Sequence, residues 1–203
     1  MGRDPQRTQE QRRGRSQAAL VAAAAELVVE SGVRAVTLAG VGQRAGYSRG
    51  IVTHHFGSKR GLLDAVARDI QGGFVPGLDD LPPGLERLLM LVDGYIGALS
   101  RPGVHVQAFL LLWAESTTDA ELAPTFRARD ETFRADIRAD VEAGKAAGSI
   151  RADVRPDLTA VAMLAQLRGI GLQRLLDPDA VDVEALRRTV TDSWTRALRP
   201  DVD

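Results

Sequence analysis

The sequence predicts an all-α chain in two parts, a small N-terminal set of short helices and a larger C-terminal helical body. Three observations predict it. Apolar residues recur every three to four positions in nearly every segment between breaks, the period of a half-buried helix. No segment alternates every second residue with β-branched side chains, as a half-buried strand would. The stretch Gly72 to Gly84 holds four glycines and three prolines, a composition that separates the short segments before it from the long ones after it.

The elements follow in chain order. Residues 1–15 have almost no apolar content and carry Arg3, Arg7, Arg12, Arg13 and Arg15, so they read as a disordered basic arm, suited to phosphates or a minor groove. Ser16 can cap a first helix whose Leu20, Ala23, Ala24, Leu27 and Val28 share a face, and Ser31-Gly32 ends it. Thr37 starts a second helix with Leu38, Val41 and Ala45 on one side, broken at Gly46. Ser48 caps a third, short helix reaching His55 or Phe56. Ser58 caps a fourth, which runs toward Gln71 and carries Leu62, Leu63, Val66 and Ile70. Five longer helices are expected at about 85–100, 103–117, 119–144, 156–177 and 182–198, with breaks at Arg101-Pro102-Gly103, Gly148 to Pro156 and Pro178. The domain division that results is 1–15 as the arm, 16–60 as a helix-turn-helix domain, 61–84 as a linking helix and loop, and 85–203 as the body.

Composition narrows the function. The 203 residues contain no cysteine, which excludes disulfides and thiolate metal sites and fits a reducing cytoplasm. No run of about 18 apolar residues occurs, so a transmembrane helix is not expected. The net charge is −1, but residues 1–60 hold 10 Lys and Arg against 4 Asp and Glu. A basic N-terminal third on an acidic body points to a polyanion as partner. Neighbouring His54 and His55 point about 100° apart on a helix and cannot readily share one ion, and His105 is the remaining histidine, so neither a metal nor another cofactor is expected. No nucleophile elbow, phosphate loop or paired carboxylates on a helix face argue for an enzyme.

The informative stretch is Thr37 to Lys59, TLAGVGQRAGYSRGIVTHHFGSK. Two short helices joined by a tight turn at Ala45-Gly46-Tyr47 make the helix-turn-helix layout, whose second helix enters the major groove. Val52 and Phe56 are four apart and face the core, which leaves Arg49, Ile51, Thr53 and His54 outward. Arg49 can reach a guanine or a phosphate, and Ile51 a thymine methyl. Thr53 and His55 can donate to phosphates, and Lys59 can clamp one. The helix N-termini at Thr37 and Ser48 offer free N–H groups to phosphate oxygens. Arg44 and Gly50 complete the candidate DNA-binding set. Gly40 and Gly42 each cost the second helix about 1 kcal/mol relative to alanine. Close packing or close approach to DNA can explain them.

These residues resemble the tetracycline-repressor (TetR) family of bacterial regulators. The resemblance rests on Ala23-Ala24 and Leu27 before Gly32, on Thr37, on the unbroken run from Ala45 to Lys59, and on Leu62-Leu63, about 50 residues in all. Thr53 departs from it, since tyrosine is usual there. The resemblance implies an Ω-shaped homodimer that binds double-stranded DNA at a near-palindromic operator, and a C-terminal body that binds a small-molecule effector and relieves repression; activation, or binding DNA without an effector, is the alternative.

In the body, the large residues fall in the segments 85–144. Met90, Leu91, Tyr95, Phe109, Leu110, Trp113, Phe126 and Phe133 form the candidate apolar lining of a ligand pocket. His105, Gln107 and Glu115 are its interspersed polar groups. The last two helices carry apolar stripes, and on the helix 156–177 the small residues Ala160, Ala162, Gly169 and Gly171 allow close helix approach. Leu164, Leu167, Gly171 and Leu175 on one, with Leu186, Val190 and Trp194 on the other, form the candidate dimer interface.

Overall fold

The computed structural model describes residues 5–69 and 75–200, and among them there are helices and turns but no strand. Among the described residues nine α-helices run α1 Pro5–Ser31, α2 Leu38–Ala45, α3 Arg49–Phe56, α4 Lys59–Asp69, α5 Leu85–Ala98, α6 Val104–Glu115, α7 Ala123–Ala146, α8 Pro156–Leu176 and α9 Val183–Leu198. Short 3-10 turns lie at Val33–Ala35 and Leu78–Asp80. The end of the fourth helix expected at Ile70 and Gln71, the start of the loop at Gly72, and Arg3 of the arm lie outside the described residues.

The described residues form two compact units, one within Met1–Gly72 and Gly103–Pro124, the other within Gly73–Pro102 and Thr125–Asp203. In the first, α1 is the central post. Its Leu20, Ala24 and Val28 are buried together with Val41 of α2, Val52 of α3, and Leu62 and Val66 of α4. Full burial of a valine or leucine is worth about 1.5–3 kcal/mol, so Val52 alone is a firm anchor for an eight-residue helix. α6 packs on α1 and α4 in this unit, although its position in the chain placed it in the body. Its sequence explains this. Ala108, Phe109, Leu110 and Leu112 are all buried, and such a helix needs a surface on which to bury them. Polar side chains meet both of its ends: His105 Nδ1 lies 3.0 Å from an Asp69 carboxylate oxygen of α4, and Glu115 accepts from Arg34 Nε at 2.8 Å.

The start of α1 differs from the expectation. The chain is helical from Pro5, so residues 9–15 are not a structureless arm but two exposed turns of a 27-residue helix. The apolar period fails there because nothing buries those turns. Gln, Glu and Arg are good helix formers, and proline suits a first helical position.

In the second unit α5 packs on α9 and α8. Asp140 of α7 fixes the start of α5: its Oδ1 accepts from Gly84 N at 3.1 Å and from Arg87 Nε at 2.8 Å. Burial pushes the Asp140 carboxyl up, against the lowering pull of those two bonds. Arg187 of α9 donates to Asp93 of α5 at 2.7 Å.

α8 presents two apolar faces. Leu164, Leu167, Gly171 and, on α9, Val190 are buried inside the unit, so they offer nothing to a partner; half-buried Leu175, Leu186 and Trp194 remain partly accessible. Trp194 Nε1 donates to Gln166 at 2.7 Å. The face that stays exposed is a different stripe: Leu158, Val161, Ala162, Ala165 and Leu176, with half-buried Gly169 and Leu172 between them. Leu158 is 56%, Val161 54% and Leu176 87% exposed.

Candidate nucleic-acid interface

The reading head is built by two caps, one left-handed glycine and one close approach. Thr37 Oγ1 accepts from Gly40 N at 3.0 Å and Ser48 Oγ from Ile51 N at 3.4 Å, so each hydroxyl starts a helix, a role worth about 1 kcal/mol. Gly46 ends α2 with φ 76° and ψ 27°, a left-handed conformation that glycine adopts without cost. Tyr47 N then donates back to Gly42 O at 2.7 Å, which folds the chain into α3. A Cβ on Gly42 would stand 2.7 Å from Tyr47 O and 3.2 Å from a methyl of Val52. Gly42 is therefore demanded by the packing of α2 against the turn and α3. At Gly40 a Cβ would meet the Thr37 cap at 3.1 Å.

Gly50 is different. A Cβ there would meet only Ser48 Oγ, at an ordinary 3.6 Å, so nothing inside the chain requires glycine. It lies on the exposed side of α3 with Arg49, Ile51 and His54. Among the described residues Arg49 makes no ion pair. Ile51 is 40% exposed on an otherwise polar surface.

Several expected contacts are committed elsewhere. Arg44 is bound across to α1, with Nη1 and Nη2 2.8 and 2.6 Å from the two Glu30 oxygens and Nη1 3.1 Å from Glu26. These pairs push its pKa further up and hold the Glu30 carboxyl below the usual range. Arg44 is thus a clasp between α1 and α2, its guanidinium already taken up by two carboxylates. Thr53 donates its one hydroxyl proton to Arg49 O at 3.1 Å, so it has none for a phosphate. Lys59 Nζ donates to Arg34 O at 2.9 Å, which uses one of its three protons to fix the start of α4.

His55 is likewise engaged. Its Nε2 lies 2.9 Å from Ser16 Oγ, and that hydroxyl already gives its proton to Arg13 O at 2.9 Å. The histidine must therefore donate through Nε2–H. Partial burial, then the neighbouring His54 and Arg13, lower its pKa and favour the neutral ring.

An open groove of about 690 Å³ lies along the exposed side of α3. Tyr47, Ile51, His54 and His55 line one wall; Gln9, Glu10, Arg12, Arg13, Arg15 and Ser16 of α1 line the other. Tyr47 was not among the expected site residues. The signal in the sequence is a large aromatic placed in the Ala45-Gly46-Tyr47 turn, and the structure leaves it 37% exposed.

The expected pocket residues divide between the units. Leu91, Tyr95 and Phe126 are buried and Met90 and Phe133 half-buried in the second. Phe109 and Leu110 are buried, and His105, Gln107, Trp113 and Glu115 half-buried, in the first. At the ends of α6, His105 lies beside Asp69 and Glu115 is ion-paired with Arg34. A polar group that sequence reading missed is Arg168 of α8, 5% exposed. Its Nη1 donates to Tyr95 Oη at 2.7 Å, its Nη2 lies 3.6 Å from Asp130, and its guanidinium stands 5.8 and 5.6 Å from the ring centres of Tyr95 and Phe133. Burial pushes the Tyr95 phenol up, against the pull of Arg168.

Among the described residues no cluster of three or more His, Cys, Asp or Glu can hold a metal, and no helix is long and apolar enough to cross a membrane.

Known proteins match this arrangement. Residues 20–66 match the family model for bacterial regulatory proteins of the tetR family, and residues 84–199 match the C-terminal model of the BetI-type transcriptional repressor. The regulator BetI of Vibrio campbellii is 25% identical over 185 residues, covering 88% of this chain and 90% of that one. BetI of Escherichia coli is 36% identical over 103 residues, covering 48% and 53%. In structure the chain is similar to NalD, the secondary repressor of the MexAB-OprM multidrug efflux pump in Pseudomonas aeruginosa, with a TM-score of 0.77, 20% identity and coverage of 93% and 99%. It is similar too to a transcriptional regulator from Saccharomonospora viridis in complex with choline, with a TM-score of 0.76, 22% identity and coverage of 93% and 100%. With both halves matched in order, the chain belongs to the TetR family of bacterial transcriptional regulators, a family of DNA-binding proteins and not of enzymes, and its C-terminal half is of the BetI repressor type.

Proposed function

We propose that this chain is a cytoplasmic homodimeric repressor that lays α3 of each protomer in the major groove of a near-palindromic operator and leaves it when a small molecule binds. The observation that carries the reading is the exposed side of α3. Arg49, Gly50, Ile51 and His54 stand free of the packing that fixes Val52, on a helix whose N-terminus is capped and open. Arg49 in a bidentate contact to guanine contributes about 1–3 kcal/mol of discrimination, and Ile51 suits a thymine methyl. The protons of the Thr37 and Ser48 hydroxyls are left for phosphate oxygens, as are two on Lys59.

The second copy is proposed to sit on the exposed stripe of α8. Leu158, Val161, Ala162, Ala165, Leu172 and Leu176 follow the helical period on one face. A Cβ at Gly169 in its middle would meet nothing within 4 Å, so the chain itself does not require glycine there. A partner helix that approaches closely does. Two α3 helices on one face of DNA then need a spacing of about 34–36 Å.

The effector seat is proposed around Leu91, Tyr95, Phe126 and Phe133, with Arg168 as its polar group. Choline is the ligand of the S. viridis regulator. Here a guanidinium already covers the Tyr95 and Phe133 faces that a quaternary ammonium would use, which favours a ligand with an anionic or neutral polar group. A hundredfold release from DNA needs about 2.8 kcal/mol of preference for the released form.

Selection of bound duplexes from a random pool tests the reading. The expected product is an inverted repeat with half-sites about 10 base pairs apart, centre to centre. Arg49→Ala should lose the preference at one base pair in each half. A pool that emerges unenriched overturns it.

A further inference from the structure

We propose that the first exposed turns of α1 form a second strip of the DNA interface, in which Arg12 and Arg13 hold the sugar-phosphate backbone just outside the segment read by α3. The inference rests on the reading of α3 as the DNA-facing helix and extends its footprint.

On α1 the positions 9, 12, 13, 16, 20, 23, 24 and 27 follow the helical period and share a side. From Leu20 onward that side is apolar and packs against the other helices of its unit. Before Ser16 the same side carries Gln9, Arg12 and Arg13, all exposed. The face that builds the core therefore runs on past it as a basic face, over about 10 Å of helix from residue 9 to residue 16.

The register of this face is fixed. Ser16, 9% exposed, is held by His55 of α3 at 2.9 Å, so the overhanging turns cannot rotate away from the reading helix without breaking that bond. What separates the two is the open groove of about 690 Å³, with Ile51 and His54 on the far wall. Three arginines, Arg12, Arg13 and Arg15, face one carboxylate, Glu10, along the α1 wall. None of the three arginines takes part in an ion pair among the described residues. A groove that is open, basic on one wall and continuous with the exposed side of a reading helix has the chemistry of a phosphate track. Guanidinium groups on phosphates fix register without reading sequence. The strip lies outside the part of the chain that the tetR-family model covers, residues 20–66.

The test is the salt dependence of binding to the duplex recovered by selection, measured with wild-type protein and with Arg12→Gln combined with Arg13→Gln. Glutamine keeps the helix, and an unchanged unfolding midpoint verifies this. Each phosphate contact contributes about −0.9 to the slope of log K against log salt, so the double variant should lose about 1.8 per protomer while selecting the same sequence. Trimming the duplex flush with the half-sites should weaken the wild type and bring its slope to that of the variant, and should leave the variant unaffected. A double variant with the wild-type slope on the long duplex, or a wild type indifferent to trimming, overturns the proposal and leaves the α3 reading intact. A wild type that binds no duplex at all overturns both.

Discussion

Gly50→Ala is expected to move stability and DNA affinity in opposite directions. The added methyl meets only Ser48 Oγ, at 3.6 Å, and Gly50 is not among the residues with positive φ, so the free protein accommodates alanine without strain. Alanine is better than glycine in a helix by about 0.8–1 kcal/mol in its interior and less in the first turn. A gain of about 0.5–1 kcal/mol raises the unfolding midpoint of a chain this size by about 1–4 °C. On DNA the same methyl lies between a helix backbone and the groove. If that approach is close, the overpacking costs about 1–3 kcal/mol, or about five- to 150-fold in affinity. Thermal unfolding of the free protein and fluorescence anisotropy with labelled duplex measure the two halves. A variant that is more stable and binds as tightly as the wild type refutes the claim that α3 presses its Gly50 side on DNA. A less stable variant refutes the reading that nothing in the chain requires glycine at this position.

Two further outcomes are expected. Leu158→Glu combined with Val161→Glu puts two charges on the exposed α8 stripe and should convert the dimer to monomers in sedimentation velocity; an unaltered dimer places the interface elsewhere. Arg44→Gln removes the clasp on Glu26 and Glu30 and should lower the unfolding midpoint while leaving the salt slope of DNA binding unchanged. A shallower slope would return Arg44 to the DNA contacts.

Much of the fold was legible because its punctuation is local. Thr37, Ser48 and Ser58 cap α2, α3 and α4 as expected, and Gly46 takes the left-handed turn. Pro156 starts α8 and Gly103 precedes α6. What stayed hidden depends on which surfaces meet. α8 carries two apolar stripes, and periodicity cannot say which one the subunit consumes; Leu164 and Leu167 went inside and Leu158 and Val161 did not. Arg44 reads as a free cation until α1 and α2 are laid side by side and Glu30 arrives opposite it. Residues 9–15 lack the apolar signal by which helices are recognised, yet they extend a helix whose later turns pay for its start. The two glycines of α2 look alike in sequence, but the Cβ of one would strike Tyr47 O, whereas that of the other would press on its own cap and reach Leu27 only at ordinary contact distance.

The most direct test of the DNA-facing helix uses the absence of cysteine. Ile51→Cys places a single thiol in the whole chain at a position 40% exposed. Its rate of alkylation should be readily measurable in free protein and should fall at least tenfold when saturating duplex is added at low salt. An alkylation rate unchanged by bound duplex would show that α3 faces away from the DNA.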